Sequence, residues 1–168
     1  MESKKTKLFQ IIDQSGMRGI GQVRPNVLGA FFNLAHEVMH TASAFTPLNR
    51  EILGAYVSQK FGCSYCHLGH LETIFALGGE TSKSLISEPT EELRIIFEIA
   101  DKVVSNKITE QDVLSFIEKG FTEQHYEDVV FVCSLFGFAN RMVTGFGLSY
   151  VSSRDEAGSR YLANGYKF

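Results

Sequence analysis

Apolar residues in this chain recur every three or four positions in segment after segment, and no convincing run alternates apolar with polar as a half-buried strand does. That rhythm makes the fold class all-α. From Asn26 to Phe45 it is carried by Val27, Phe31, Leu34, Val38 and Met39, with Pro25 just before them. Thr46-Pro47 is a start signal, a hydroxyl at the N-cap and a proline at the first helical position. The helix it opens, to about Lys60, has Leu48, Ile52, Ala55 and Tyr56 on one stripe and Glu51 at the stripe's edge. Phe61-Gly62 breaks it, a helix from about Cys63 to Leu77 follows, and Gly78-Gly79 stops that one. Thr90, with Glu91 and Glu92 behind it, opens a helix to about Ser105. Thr109, with Asp112 placed for a capping box, opens a short helix to Lys119. Thr122 starts a long one through Val143, before Gly145-Phe146-Gly147. Residues 152–168 are polar with scattered aromatics. They and the 1–24 segment are expected to be tails or arms of an oligomer contact.

A chain of 168 residues makes one domain, 1–168. At this size folding buries roughly 70% of the unfolded surface, so the core needs no disulfide. A net charge of -3 gives no basic footprint for nucleic acid. No stretch approaches the roughly 18 apolar residues of a membrane span. The N-terminus, Met1 to Phe9, has no apolar run of leader length, so the expected compartment is the cytoplasm. There, neighbouring cysteines suggest a cycling thiol pair or a metal site more than a permanent disulfide.

Chemistry concentrates in Cys63-Ser64-Tyr65-Cys66-His67-Leu68-Gly69-His70. At about 100° per helical residue, Cys63, Cys66, His67 and His70 fall within one arc, continued inward by Ile74 and Leu77. Tyr65 points away from it. Thiols at i and i+3 have Cβ atoms roughly 5–6 Å apart. A disulfide wants about 3.5–4.5 Å, so a small adjustment closes the bond. Two effects activate a thiol, and they choose differently. Cys63 lies at the helix N-terminus, where free N–H groups favour thiolate. Cys66 has His70 one turn ahead to take its proton. The order of attack stays open on these grounds. Glu51 returns through the helical hairpin to the height of His70, roughly 12–15 Å from the turn at about 1.5 Å per residue. A carboxylate there can orient the imidazole or relay its proton.

The same residues admit rivals. Cys63-Ser64-Tyr65-Cys66-His67 has the spacing of a haem c attachment, which normally requires export. His36-Glu37-Val38-Met39-His40 has the spacing of a zinc-protease helix, but Ser43 and Thr46 stand where the extended motif needs Gly and His. Structural zinc on Cys63, Cys66 and a histidine needs a fourth ligand. The remaining thiol, Cys133 in Phe131-Val132-Cys133-Ser134-Leu135, reads as a small buried hydrophobe, and His125 as a surface or interface residue.

Glu51, eleven residues, Cys63-x-x-Cys66, three more and His70 together resemble the signature of the AhpD-like alkylhydroperoxidases, in the carboxymuconolactone decarboxylase superfamily. The lead-in Leu48–Arg50, the Gly78-Gly79 exit and Phe138-Ala139-Asn140-Arg141 are also similar. The resemblance implies an AhpD-like helical bundle that assembles as a dimer, trimer or hexamer. It implies alkylhydroperoxidase or disulfide reductase activity with no bound cofactor or metal. Glu51 and His70 then form a proton relay, Cys66 attacks a peroxide or disulfide, and Cys63 resolves it to an intramolecular disulfide. An external dithiol, a lipoyl group or a thioredoxin-like protein, reduces that bond. The chain departs from the family at Tyr65, where well-described members carry a histidine. Tyrosine, with an ordinary pKa of about 10, is a poor base. Tyr65 and His67 are the auxiliary candidates. The other class left open is a non-catalytic, redox-responsive oligomeric sensor or binding protein.

Overall fold

The structure, a computed structural model, describes residues 6–79 and 82–167. The first five residues of the charged N-terminus, and Phe168 of the tail, lie outside the described residues. Those described form ten α-helices and no strand: α1 Lys7–Ser15, α2 Met17–Val23, α3 Pro25–His40, α4 Pro47–Lys60, α5 Ser64–Ala76, α6 Ser82–Ser87, α7 Glu91–Val104, α8 Glu110–Glu118, α9 Glu123–Gly145 and α10 Ser152–Tyr161. None of the described helices is long and apolar enough to cross a membrane.

The four threonine signals act as expected. The side chains of Thr46, Thr90, Thr109 and Thr122 accept the N–H groups of Asn49, Leu93, Asp112 and His125. Asp112 completes its capping box, and His125 does the same for α9 by accepting the Thr122 N–H at 3.1 Å.

Helix α4 is the axis of the fold, packed against α3, α5, α7 and α9. Burial on all sides explains why its apolar stripe is broad, with Arg50, Glu51 and Ser58 buried beside Ile52, Leu53 and Val57. Gly54 lets α9 approach. A Cβ there would stand 2.3 Å from Cζ of Phe136, a ring that also packs edge-to-face on His70 at 4.6 Å. Gly54→Ala is therefore expected to cost about 1–3 kcal/mol, measured by denaturant melts. An unchanged midpoint would mean that the ring shifts freely.

Two boundaries differ from the sequence reading. Helix α3 ends at His40 rather than near Phe45, because polar side chains capture the backbone that would continue it. The Arg50 guanidinium donates to the carbonyls of Val38 and Thr41, each at 2.7 Å. Asp128 accepts the Phe45 N–H at 2.8 Å and the Ser43 hydroxyl at 2.5 Å. The second difference is the C-terminal segment, which in the described residues is no loose tail. Helix α10 lies across α5. Gly69 leaves room for Ser159 there, and the Thr73 hydroxyl donates to the Ser159 carbonyl at 2.8 Å. Beyond α10 the chain turns at Leu162–Asn164 and buries Tyr166. At the other end, α1 and α2 bury Ile12 and Ile20, and Arg154 of α10 donates to the Asp13 carbonyl.

Candidate active site

The helical hairpin of α4 and α5 builds the site. Gly62 turns the chain with a φ of +68°, a left-handed conformation that glycine adopts at low cost. Cys63 becomes the N-cap of α5, its N–H bonded back to the Ser58 carbonyl. Its Sγ accepts the Cys66 N–H at 3.5 Å. Both thiols are free and buried, packed with Val143 and flanked by Met17, Tyr65 and Leu148. The thiolate therefore has fixed donors. Hydrogen bonding from the Cys66 thiol lowers the Cys63 pKa to about 6 against the burial that opposes it. The Cys66 N–H, the Thr144 hydroxyl and the His70 charge add to that lowering. Cys66 is pushed the opposite way by the Cys63 sulfur beside it and by burial. Local electrostatics thus put the resting thiolate on Cys63, whereas the family resemblance implies attack by Cys66.

Glu51 and His70 meet as the hairpin geometry requires. Nδ1–H of His70 donates to Oε2 of Glu51 at 2.6 Å, and Glu51 is fully buried. A carboxylate on Nδ1 fixes that tautomer and leaves Nε2 as the imidazole's acceptor. The other carboxylate oxygen, Oε1, accepts the hydroxyl of Tyr166 at 2.7 Å. Tyr166 is 4% exposed, and burial raises its pKa well above the ordinary value, so it stays a donor. It comes from 115 residues away. The only signal for it in the sequence is an aromatic in a polar segment, too weak to identify a partner.

The auxiliary candidates have other partners. Tyr65 is turned away from the thiol arc, as the wheel places it, and α10 covers that side. Its hydroxyl donates to Asp155 at 3.3 Å, and burial holds its pKa up, which makes it a structural donor and a still poorer base. His67 shares the inward arc, but its Nδ1–H donates to the Ala55 carbonyl of α4 at 2.9 Å. That bond ties the hairpin together.

Among the described residues no three His, Cys, Asp or Glu side chains are grouped to hold a metal ion. His36 and His40 stack at 5.9 Å, and His40 meets the Tyr166 ring edge-on at 5.7 Å. They wall the C-terminal segment. The space around Cys63 and Cys66 that a haem would need is filled by Met17, Val143 and Leu148. Cys133 is buried on α9, which pushes its thiol up to about 12 and keeps it unreactive. An open groove of about 780 Å³ beside it, lined by Arg24, Phe61, Phe138 and Arg141 among others, includes none of the site residues.

No protein-family model matches the chain, and no curated protein does. Solved structures share its architecture. One is described as an alkylhydroperoxidase AhpD core, an uncharacterized peroxidase-related protein from Ralstonia eutropha JMP134. It matches with a TM-score of 0.72 and 22% identity, over 88% of this chain and 85% of that one. Another, an uncharacterized peroxidase-related protein from Silicibacter sp. TM1040, matches with a TM-score of 0.75 and 21% identity, over 89% and 85%. The fold is therefore AhpD-like and all-α.

Proposed function

We propose that this chain is a thiol oxidoreductase of the alkylhydroperoxidase or disulfide reductase kind. The observation that carries the reading is the 2.6 Å Glu51–His70 pair on the same hairpin as a buried dithiol at a helix N-terminus. The AhpD-like fold supports it.

In the proposed cycle the Cys63 proton passes to His70 and leaves a thiolate. That thiolate attacks the distal oxygen of a hydroperoxide. The O–O bond breaks, and the departing alkoxide takes the proton from His70, giving an alcohol and Cys63 sulfenic acid. Cys66 then gives its proton to His70 and attacks the Cys63 sulfur. Hydroxide leaves, takes that proton and becomes water, and the disulfide is formed. An external dithiol returns two electrons and two protons. With a disulfide substrate, the thiolate attacks sulfur instead and a thiol leaves. His70 serves as the base in both steps, and the helix terminus adds to the activation of Cys63.

The reading includes self-association. Val27 and Leu34 of α3, and Phe131 and Phe138 of α9, are large apolar side chains left exposed, and a subunit contact would cover them. The test is steady-state consumption of an alkyl hydroperoxide and of a small disulfide, with dihydrolipoamide or a thioredoxin as donor. Oligomer size is measured in oxidised and reduced protein alongside. Turnover with either oxidant supports the enzyme. A change of size with no turnover would replace it with the redox-responsive sensor.

A further inference from the structure

We propose that Tyr166 is a positioning residue of the relay, holding Glu51 in the one orientation that presents His70 correctly. This rests on the dithiol chemistry proposed above. Its motivation is geometric. A carboxylate buried among apolar side chains needs donors for both oxygens. His70 supplies one on Oε2, and Tyr166 supplies the other on Oε1. With both taken, the carboxylate cannot rotate without breaking a charge-assisted bond. The Tyr166 oxygen also lies 3.5 Å from His70 Nδ1, so the hydroxyl touches both members of the pair. The Tyr166 ring stands near-parallel to the His70 ring, at 6.5 Å and 18° between planes. Phe136 packs edge-to-face on His70. The imidazole therefore has aromatic neighbours in addition to its carboxylate.

The segment that delivers Tyr166 is itself held. Gly165 has a φ of +105° and passes so close to His36 that a Cβ would lie 3.0 Å from its Nδ1. The chain thereby runs over α3 and drops the phenol into the core. Other ionisable groups surround the trio. His40 and His36 come from α3, Arg50 from α4, Cys63 and Cys66 from α5, and Asp128 from α9 acts on Arg50. Burial, opposed by the Glu51 charge, holds His40 below its ordinary pKa, so at neutral pH the ring beside Tyr166 is uncharged. Among the described residues, the donor on Oε1 is the Tyr166 hydroxyl, at 2.7 Å.

Removing the hydroxyl frees Oε1. The carboxylate then swings, His70 loses its fixed position, and its support for the Cys63 thiolate weakens. The experiment is iodoacetamide alkylation of Cys63 and Cys66 across pH, followed by mass spectrometry, for wild type, Tyr166→Phe and Tyr166→Leu. It needs neither oxidant nor reductant, so it reports even on a protein that turns over nothing. Wild type should show a Cys63 midpoint near 6. In Tyr166→Phe the midpoint is expected to rise by about one pH unit, a roughly fivefold loss of alkylation at pH 6. Where turnover is measured, kcat should fall about tenfold with KM unchanged. A Tyr166→Phe profile like wild type would overturn the assignment. So would a shift seen only in Tyr166→Leu, since the ring rather than its hydroxyl would then matter.

Discussion

Cys63→Ser is expected to lose peroxide and disulfide turnover by at least about 10³-fold, because the hydroxyl that replaces the thiol stays protonated at neutral pH. Cys66→Ser should fail differently. It keeps the thiolate and one oxidation step, but nothing resolves the product. Mass spectrometry should then find a single sulfenic acid, or a mixed disulfide, on Cys63. The two variants also separate the local electrostatics from the family resemblance. A stable sulfenic acid on Cys66 in Cys63→Ser would restore the order in which Cys66 attacks. Full turnover in both variants would eliminate the dithiol cycle altogether.

The second large effect is expected at Glu51. Glu51→Gln has nearly the same volume, which matters at a fully buried site. The amide presents a donor or a neutral acceptor where His70 requires a carboxylate. Loss of a positioned acid–base partner typically costs about 10²–10⁴-fold, and Glu51→Gln should lower kcat within that range. The measurement is the rate of the first oxidation in a stopped-flow mix, alongside a melting curve that shows the variant folded. A rate within about twofold of wild type would mean that His70 works alone.

The pattern of what the sequence reveals is physical. Helix starts at Thr46, Thr90, Thr109 and Thr122 are legible because a cap is satisfied within three residues. The Glu51–His70 pairing is nearly as legible, since both lie on one hairpin whose turn is marked by Gly62. The misses come from groups that depend on distant chain. A helical wheel for α5 turns Tyr65 away from the thiol arc, and it cannot know that α10 lies on that side. The apolar rhythm of α3 runs past His40, and it cannot know that Arg50 takes the last carbonyls. Direction on a wheel also does not identify a partner. His67 shares the arc of the thiols and still spends its Nδ1–H on α4. Tyr166 is the extreme case, a contact across 115 residues whose one local sign is an aromatic in a polar segment.

That separation has a bearing on synthesis. The dithiol leaves the ribosome ahead of His70, and His70 itself emerges 96 residues before the tyrosine that completes the trio. At 5–20 residues per second the interval is on the order of 10 s. Throughout it, the growing chain carries both sulfurs but lacks the phenol that orders the carboxylate. Contacts of such long range also tend to close late in folding. Immature chains would therefore hold their cysteines without the complete relay, and full reactivity would be reserved for molecules whose far end has docked.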